Sequence, residues 1–218
     1  MTKKSVFTSS KWSIKKSKLA ILIPCRDMCH SAHALAIAEL VKLNTMNGID
    51  THVAMDASTI LLTQRERLAL EAQKIGAEYM LWIDSDVVVP PTTALRLIAH
   101  NEPIVAANYV RRQPPYKGVA YKTVGDWENP LPYVPTDELE EVEGIGMGCM
   151  LMKTSILDDI TRPWFEFGWT PSSNDWLGED ILFCRKMAEA GYSVKVDTQL
   201  SMETHHLGTY AFNADLLK

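Results

Sequence analysis

Continuous apolar runs alternate with helix-period stretches across the first half of the chain, and that alternation restricts the fold more than any other feature. "KLAILIPC" reads as a buried strand that Pro24 ends. "HALAIAELVKLN" has helical periodicity and stops before the turn signal "NGID". "THVAMD" is a second strand, and "LLTQRERLALEAQKIGA" a helix with Gly76 near its C-terminus. "EYMLWID" is a third buried strand, "PTTALRLIAHN" a helix with proline at its start, and "PIVAANYV" a strand again. The order β-α-β-α-β-α-β calls for an α/β fold with a mostly parallel central sheet flanked by helices. The second half reads differently. "RRQPPYKGVAYKTVGDWENPLPYVPTDELEEVEG" is rich in Pro, Gly and aromatics and predicts loops with short antiparallel strands, a smaller decoration on the sheet. "GIGMGCMLMKTSIL" predicts a strand running into a short helix, "EDILFCRKMAEAG" an amphipathic helix closed by Gly191, and "YSVKVD" a last strand. The end, "TQLSMETHHLGTYAFNADLLK", reads as irregular. No linker marks a second domain, so residues 19–218 are expected to form one catalytic-size domain behind a flexible tail, 1–18.

The tail "MTKKSVFTSSKWSIKKSK" carries six lysines and no acid, so the net charge of −5 hides a body of about −11. An acidic body counts against a broad nucleic-acid groove. The first apolar run is short and lies behind a polar stretch, and nothing reaches the length of a membrane span, so a cytoplasmic protein without an integral membrane segment is expected. Cys25, Cys29, Cys149 and Cys184 are then expected to be reduced thiols. The pair in "PCRDMCH" is spaced CxxxC, and no second Cys/His pair with zinc-ribbon spacing accompanies it.

The chemistry concentrates in "LWIDSDVVVPP". Burying one unpaired carboxylate is costly, and this apolar run carries two, Asp84 and Asp86, with Ser85 between them. They fall at the C-terminal end of the third strand, the edge where open parallel sheets bind ligands. If the strand persists, residues two apart share a face, with Cα atoms roughly 6–7 Å apart. Like charges so placed repel unless a cation sits beside them. Oxygen ligands favour a hard ion, Mg²⁺ or Mn²⁺, whose open positions substrate phosphates commonly fill. Ser85 would face the other way. A solvated turn whose acids cap the following helix is the alternative.

Taken together, "ILIPCRD", "WIDSDVVVPP", "GIGMGCMLMKTSIL", "WLGEDILFCRKMAEAGYSVKVD" and "HHLG", running from Leu19 to about Gly208, resemble a GT-A-fold glycosyltransferase, of the kind found in the large family-2-like group and in phage and bacterial sugar transferases. The resemblance implies a GT-A (nucleotide-diphospho-sugar transferase) fold and a nucleotide-sugar donor, UDP- or GDP-linked, held through Mn²⁺ or Mg²⁺. It implies that Asp86 binds the metal directly, that Asp84 holds the ribose or reaches the metal through water, and that His206 completes the metal shell as a neutral imidazole. Pro24, Cys25, Arg26 and Asp27 would lie at the base and ribose, Ser85 among the donor-contacting residues, and Arg65 facing the diphosphate. Asp180 would be the general base of an inverting reaction, with Glu179 orienting the acceptor. Acids in the first turn of a helix are also favourable for the dipole alone.

Trp164, Trp169 and Trp176 flank that acid pair. Trp164 is expected in the core and Trp176 against a sugar, with "TPSSND" a mobile lid. Gly146 and Gly148 are expected to let the acceptor strand approach the donor sugar. The acceptor is a glycan or another hydroxyl compound, modified DNA among them; for a phage protein the compartment would be the host cytoplasm. Two rivals share this fold logic. A nucleotidyltransferase would be expected to show a glycine-rich loop after the first strand, and "IPCRDMCHSAH" has no glycine. A non-catalytic nucleotide- or sugar-binding module would not need Asp84, Asp86, Asp180 and His206 together.

Overall fold

The computed structural model describes residues 17–126, 130–132, 134–170 and 175–208. Most of the lysine-rich tail and of the "TPSSND" segment lies outside them. In chain order the elements are β1 (Lys18–Cys25), α1 (Ser31–Met46), β2 (Asp50–Ala57), α2 (Leu61–Lys74), β3 (Tyr79–Ile83), β4 (Val87–Val88), α3 (Thr93–Ala99), β5 (Ile104–Ala106), β6 (Ala120–Tyr121), β7 (Glu140–Val142), β8 (Gly144–Ile145) and β9 (Cys149–Lys153). A 3₁₀ helix (Thr154–Asp159) follows, then β10 (Gly168–Thr170), β11 (Asp175–Leu177), α4 (Glu179–Glu189), β12 (Val194–Val196), α5 (Thr198–Ser201) and β13 (His205–His206).

The main sheet has the order β2-β1-β3-β9-β5-β12-β7. β1 runs parallel to β2 and β3, and β12 parallel to β5. β9 lies antiparallel between β3 and β5, and β7 antiparallel to β12. Five of the seven strands therefore share one direction, and β9 is wedged where the first half of the fold meets the second. Strand ends beside such a switch in topology form a crevice suited to a ligand.

Continuous apolar strands are explained by burial on both faces. Along β3, Met80 and Trp82 enter one core, while Tyr79, Leu81 and Ile83 enter the other. β1 divides the same way, with Ala20 and Leu22 against Leu19, Ile21 and Ile23, and β9 does so with Met150 and Met152 against Cys149 and Leu151. The first core is covered by Leu68, Ala69 and Ala72 of α2 and Phe183, Cys184 and Met187 of α4; Trp164 packs there too, as its sequence context predicts. The second is covered by Ile37 and Leu40 of α1, α3 and Leu200 of α5. Gly76 and Gly191 stop α2 and α4 at φ of 67° and 88°, a backbone region that glycine enters without a Cβ penalty.

Two expectations change. "PIVAANYV" supplies only three strand residues, because the chain leaves the sheet after Ala106 to build the loop over its edge. Residues 198–208 of the final stretch are also not irregular; the rest of it lies outside the described residues. Asp197 caps α5 by accepting from the Leu200 N–H at 2.7 Å and is itself gripped by Arg96 and His100. That anchored turn delivers β13 antiparallel to β4, with His206 opposite Val87 and His205 opposite Val88.

Candidate active site at the switch in the sheet

β3 does not persist through the aspartates. It ends at Ile83, and the Val87 N–H donates to the Asp84 carbonyl at 2.9 Å, closing a tight turn that holds Asp84, Ser85 and Asp86. Their spacing comes from this turn rather than from strand alternation. The turn is fixed from three sides. Asp84 N–H donates to the Gly148 carbonyl (3.1 Å), Leu207 N–H to the Asp86 carbonyl (2.7 Å), and His33 Nδ1–H on α1 to the Val87 carbonyl (2.8 Å).

The β4–β13 ladder brings His206 to Asp86. Nε2 of His206 stands 3.6 Å from Asp86 Oδ1, and its Nδ1–H donates to the Val110 carbonyl at 2.9 Å. A carbonyl only accepts, so Nδ1 carries the proton and Nε2 of the neutral ring turns a lone pair toward the carboxylate. That contact is favourable only with a proton or another cation between the two groups. Accordingly the Asp86 hydrogen bond raises the His206 pKa above its usual value. Asp86, which burial alone would push up, is held below the usual carboxylate range by His206 and Arg112. Arg112 Nη1 lies 2.8 Å from Asp86 Oδ2.

Asp84 turns the other way, to Arg65. This guanidinium, on α2, is only 2% exposed; Nη2 is 3.3 Å from Asp84 Oδ1 and Nε 3.1 Å from Glu179 Oε1. It lies 5.4 Å from the centroid of the Trp82 ring, a cation–π distance. Burial would lower its pKa, but Asp84, Glu179 and Asp180 together raise it, so it stays charged. Asp84 is pushed up by burial, only partly offset by Arg65. A residue that pattern alone reads equally well as a helix-face charge is thus a buried tie between the turn after β3 and the start of α4. Its neighbour Glu66 does a separate job, pairing with Arg162 and accepting from the backbone N–H groups of Trp164 and Phe165.

Glu179 and Asp180 open α4 and take different partners. Glu179, 9% exposed, faces Arg65. Asp180 Oδ1 accepts from the Ile181 N–H at 2.8 Å, leaving its second oxygen available. Burial, with Glu179 beside it, raises the Asp180 carboxyl to about 6. Gly178 makes this geometry possible, since a Cβ there would stand 2.7 Å from Asp180 Oδ1.

Tyr109 carries no signal in the sequence, yet it ties the site together. Its hydroxyl accepts from the Gly148 N–H at 3.0 Å and its ring meets His206 edge-on, centroids 5.1 Å apart. The ring also fills the space over Gly146 and Gly148, where the sequence suggests an approach by sugar: Cβ atoms there would lie 2.5 Å and 2.7 Å from its hydroxyl. Gly146→Ala is expected to destabilise the fold by about 1–3 kcal/mol, as overpacking does. Tyr109→Phe in that background should recover part of the loss, because the hydroxyl is the nearest atom. Urea unfolding of the single and double variants measures both.

At the end of β1, Pro24 and Cys25 are buried, while Arg26 and Asp27 are exposed and pair at 3.5 Å. Gln64 of α2 donates to the carbonyls of Asp56 and Ser58 at 2.9 Å and also reaches that of Cys25, holding the ends of β1 and β2 together. Nothing in the sequence marks that role. Cys25 Sγ–H donates to the Met28 carbonyl at 3.1 Å, and the four cysteines are free thiols. Trp169 and Trp176, 49% and 69% exposed, pack edge to face at 5.4 Å on the β10–β11 hairpin, which leads directly into Gly178 and α4.

Among the described residues no group of three or more His, Cys, Asp or Glu side chains is arranged to hold a metal ion. What the turn offers is a pair, Asp86 and His206, with the imidazole tautomer that metal ligation requires, set by a hydrogen bond from its far nitrogen. A hard cation bound by two protein groups would leave positions for water and phosphate oxygens. The pair fits such an ion; Asp84, drawn toward Arg65, stands behind it.

No protein-family model and no curated protein sequence matches the chain. Among solved structures, A197 from STIV is similar with a TM-score of 0.52 at 18% identity, over 83% of this chain and 81% of that one. A glycosyltransferase involved in the glycosylation of the major capsid of PBCV-1 aligns at 14% identity over 88% of this chain and 94% of its own, with a TM-score of 0.46. The chain shares its α/β fold, a seven-stranded and mostly parallel sheet covered by helices, with the STIV protein. No helix among the described residues is long and apolar enough to cross a membrane.

Proposed function

We propose that the chain is a metal-dependent glycosyltransferase that moves a sugar from a nucleotide-diphosphate sugar to an acceptor hydroxyl with inversion. The observation that carries this reading is convergence: residues 84–86, Arg65, Glu179–Asp180 and His206 come from distant parts of the sequence and meet, through named ion pairs, where β3 ends beside the switch in the sheet.

In this reading Asp86 and His206 hold Mn²⁺ or Mg²⁺, and Asp84 contacts the ribose or a metal-bound water. The bound cation supplies charge stabilisation for the departing diphosphate. Pro24, Cys25, Arg26, Asp27 and Ser85 line the side of the nucleotide. Asp180 accepts the acceptor's hydroxyl proton on its free oxygen as that hydroxyl's oxygen bonds to the anomeric carbon. The bond from that carbon to the diphosphate oxygen breaks, and the electron pair leaves with the nucleotide diphosphate. Arg65 keeps the two sides in register, and Glu179, by fixing Arg65, sets the start of α4 on which Asp180 rides. Trp169 and Trp176 offer aromatic faces to an acceptor sugar.

The test is release of nucleotide from a panel of UDP- and GDP-sugars with Mn²⁺ or Mg²⁺, coupled to calorimetry of Asp86→Ala. That variant should lose metal-dependent UDP or GDP binding while still folding cooperatively, with a modest fall in its unfolding midpoint at pH 7, since Arg112 and His206 lose the carboxylate they share. Metal-dependent binding that persists in Asp86→Ala would remove that aspartate from the role. Binding without release from any donor would point to a non-catalytic module.

A further inference from the structure

We infer that Arg112 makes metal and nucleotide binding cooperative, by neutralising Asp86 in the empty site and transferring to the diphosphate when both ligands arrive. The inference rests on the function proposed above and adds a residue to it. Arg112 sits in the loop that leaves Tyr109 and returns at Val119, held at its base by Arg111 N–H donating to the Lys117 carbonyl (3.0 Å) and Val119 N–H to the Tyr109 carbonyl (3.1 Å). Asn108 Oδ1 braces the same base by accepting from the Val119 and Ala120 N–H groups at 2.9 and 3.1 Å.

From this braced loop the Arg112 side chain crosses over Gly208, where a Cβ would meet its Cδ at 3.2 Å. Its Nη1 then reaches Asp86 Oδ2 at 2.8 Å and the Leu207 carbonyl at 3.4 Å. The guanidinium and the His206 ring thus take opposite oxygens of one carboxylate, the oxygens a metal ion would need.

A divalent ion arriving alone meets a fixed positive charge on its own ligand, so binding is opposed. An arriving diphosphate changes the balance, because its negative charge attracts both cations. The guanidinium fork matches phosphate oxygens as well as it matches a carboxylate. At 50% exposed, the side chain is not locked by packing and can exchange one anion for the other. Each ligand therefore improves the site for the other, which is a coupling free energy between them.

The experiment measures Mn²⁺ binding by electron paramagnetic resonance or calorimetry, with and without saturating UDP or GDP, for the native chain, Arg112→Gln and Arg112→Lys. For Arg112→Gln, Mn²⁺ alone should bind about twofold to fivefold more tightly, the scale of one exposed ion pair removed. The gain in Mn²⁺ affinity on adding nucleotide should shrink by a similar factor, and nucleotide affinity should fall. Arg112→Lys, which keeps the charge, should retain most of the coupling. If Arg112→Gln and the native chain bind Mn²⁺ equally, or gain equally from nucleotide, the inference is overturned while the proposed function stands. If the native chain binds Mn²⁺ but neither nucleotide, or no Mn²⁺ at all, both fail.

Discussion

Asp180→Asn is expected to lose transfer by roughly 10²- to 10⁴-fold, the usual contribution of a positioned general base, while retaining metal-dependent binding of UDP or GDP. Asparagine keeps the acceptor for the Ile181 N–H and the space that Gly178 provides, and removes only the capacity to take a proton. The pH profile gives a second reading of the same group. Its carboxyl sits at about 6, raised first by burial and then by Glu179, so the proton-accepting form predominates above that pH. Transfer should rise as pH increases through about 6 and flatten beyond it. A group whose folded pKa is raised favours the folded state when protonated, so the charge it carries at neutral pH opposes folding. Asp180→Asn should therefore raise the melting temperature at pH 7 and have little effect near pH 4. Full transfer by the variant, or a flat profile between pH 5 and 7, would assign the base elsewhere.

The largest loss of stability is expected at Arg65. Replacing it with leucine leaves Glu179 buried and Asp84 half-buried without their shared counter-ion, and breaking a buried ion pair from one side typically costs about 3–5 kcal/mol. Much of a small domain's margin would vanish, and the midpoint in urea should fall accordingly. A triple variant that also carries Asp84→Asn and Glu179→Gln should recover a good part of it, since the orphaned charges are then gone. Recovery absent from the triple variant would mean that Arg65 acts mainly through its packing on Trp82.

The parts of this fold that are legible in the sequence are those that repeat or bury a face. β1, β3 and α2 are visible because strands covered on both sides must be apolar throughout, and because a covered helix shows its period. Asp84 and Asp86 stand out as charges in an apolar run. Asp180 stands out only through resemblance, since acids in a first turn are common for electrostatic reasons alone. Arg65 illustrates the limit: its surroundings on α2 give no hint that it is buried, because its partners lie 19 and 114 residues away. Tyr109 and Gln64 are silent for the same reason, each defined by backbone groups of other segments. The two-residue β13 has no period to read, and only the tertiary pairing with β4 reveals it.

That pairing has a consequence for how the protein matures. The pair proposed to hold the ion joins residues 86 and 206, so a growing chain emerging from the ribosome carries its aspartates long before their histidine exists. Everything that builds the crevice can condense first, yet the pocket stays inert until the closing strand docks. On the proposed function, a polypeptide arrested short of His206 would resemble the finished product in circular dichroism and be blind to manganese.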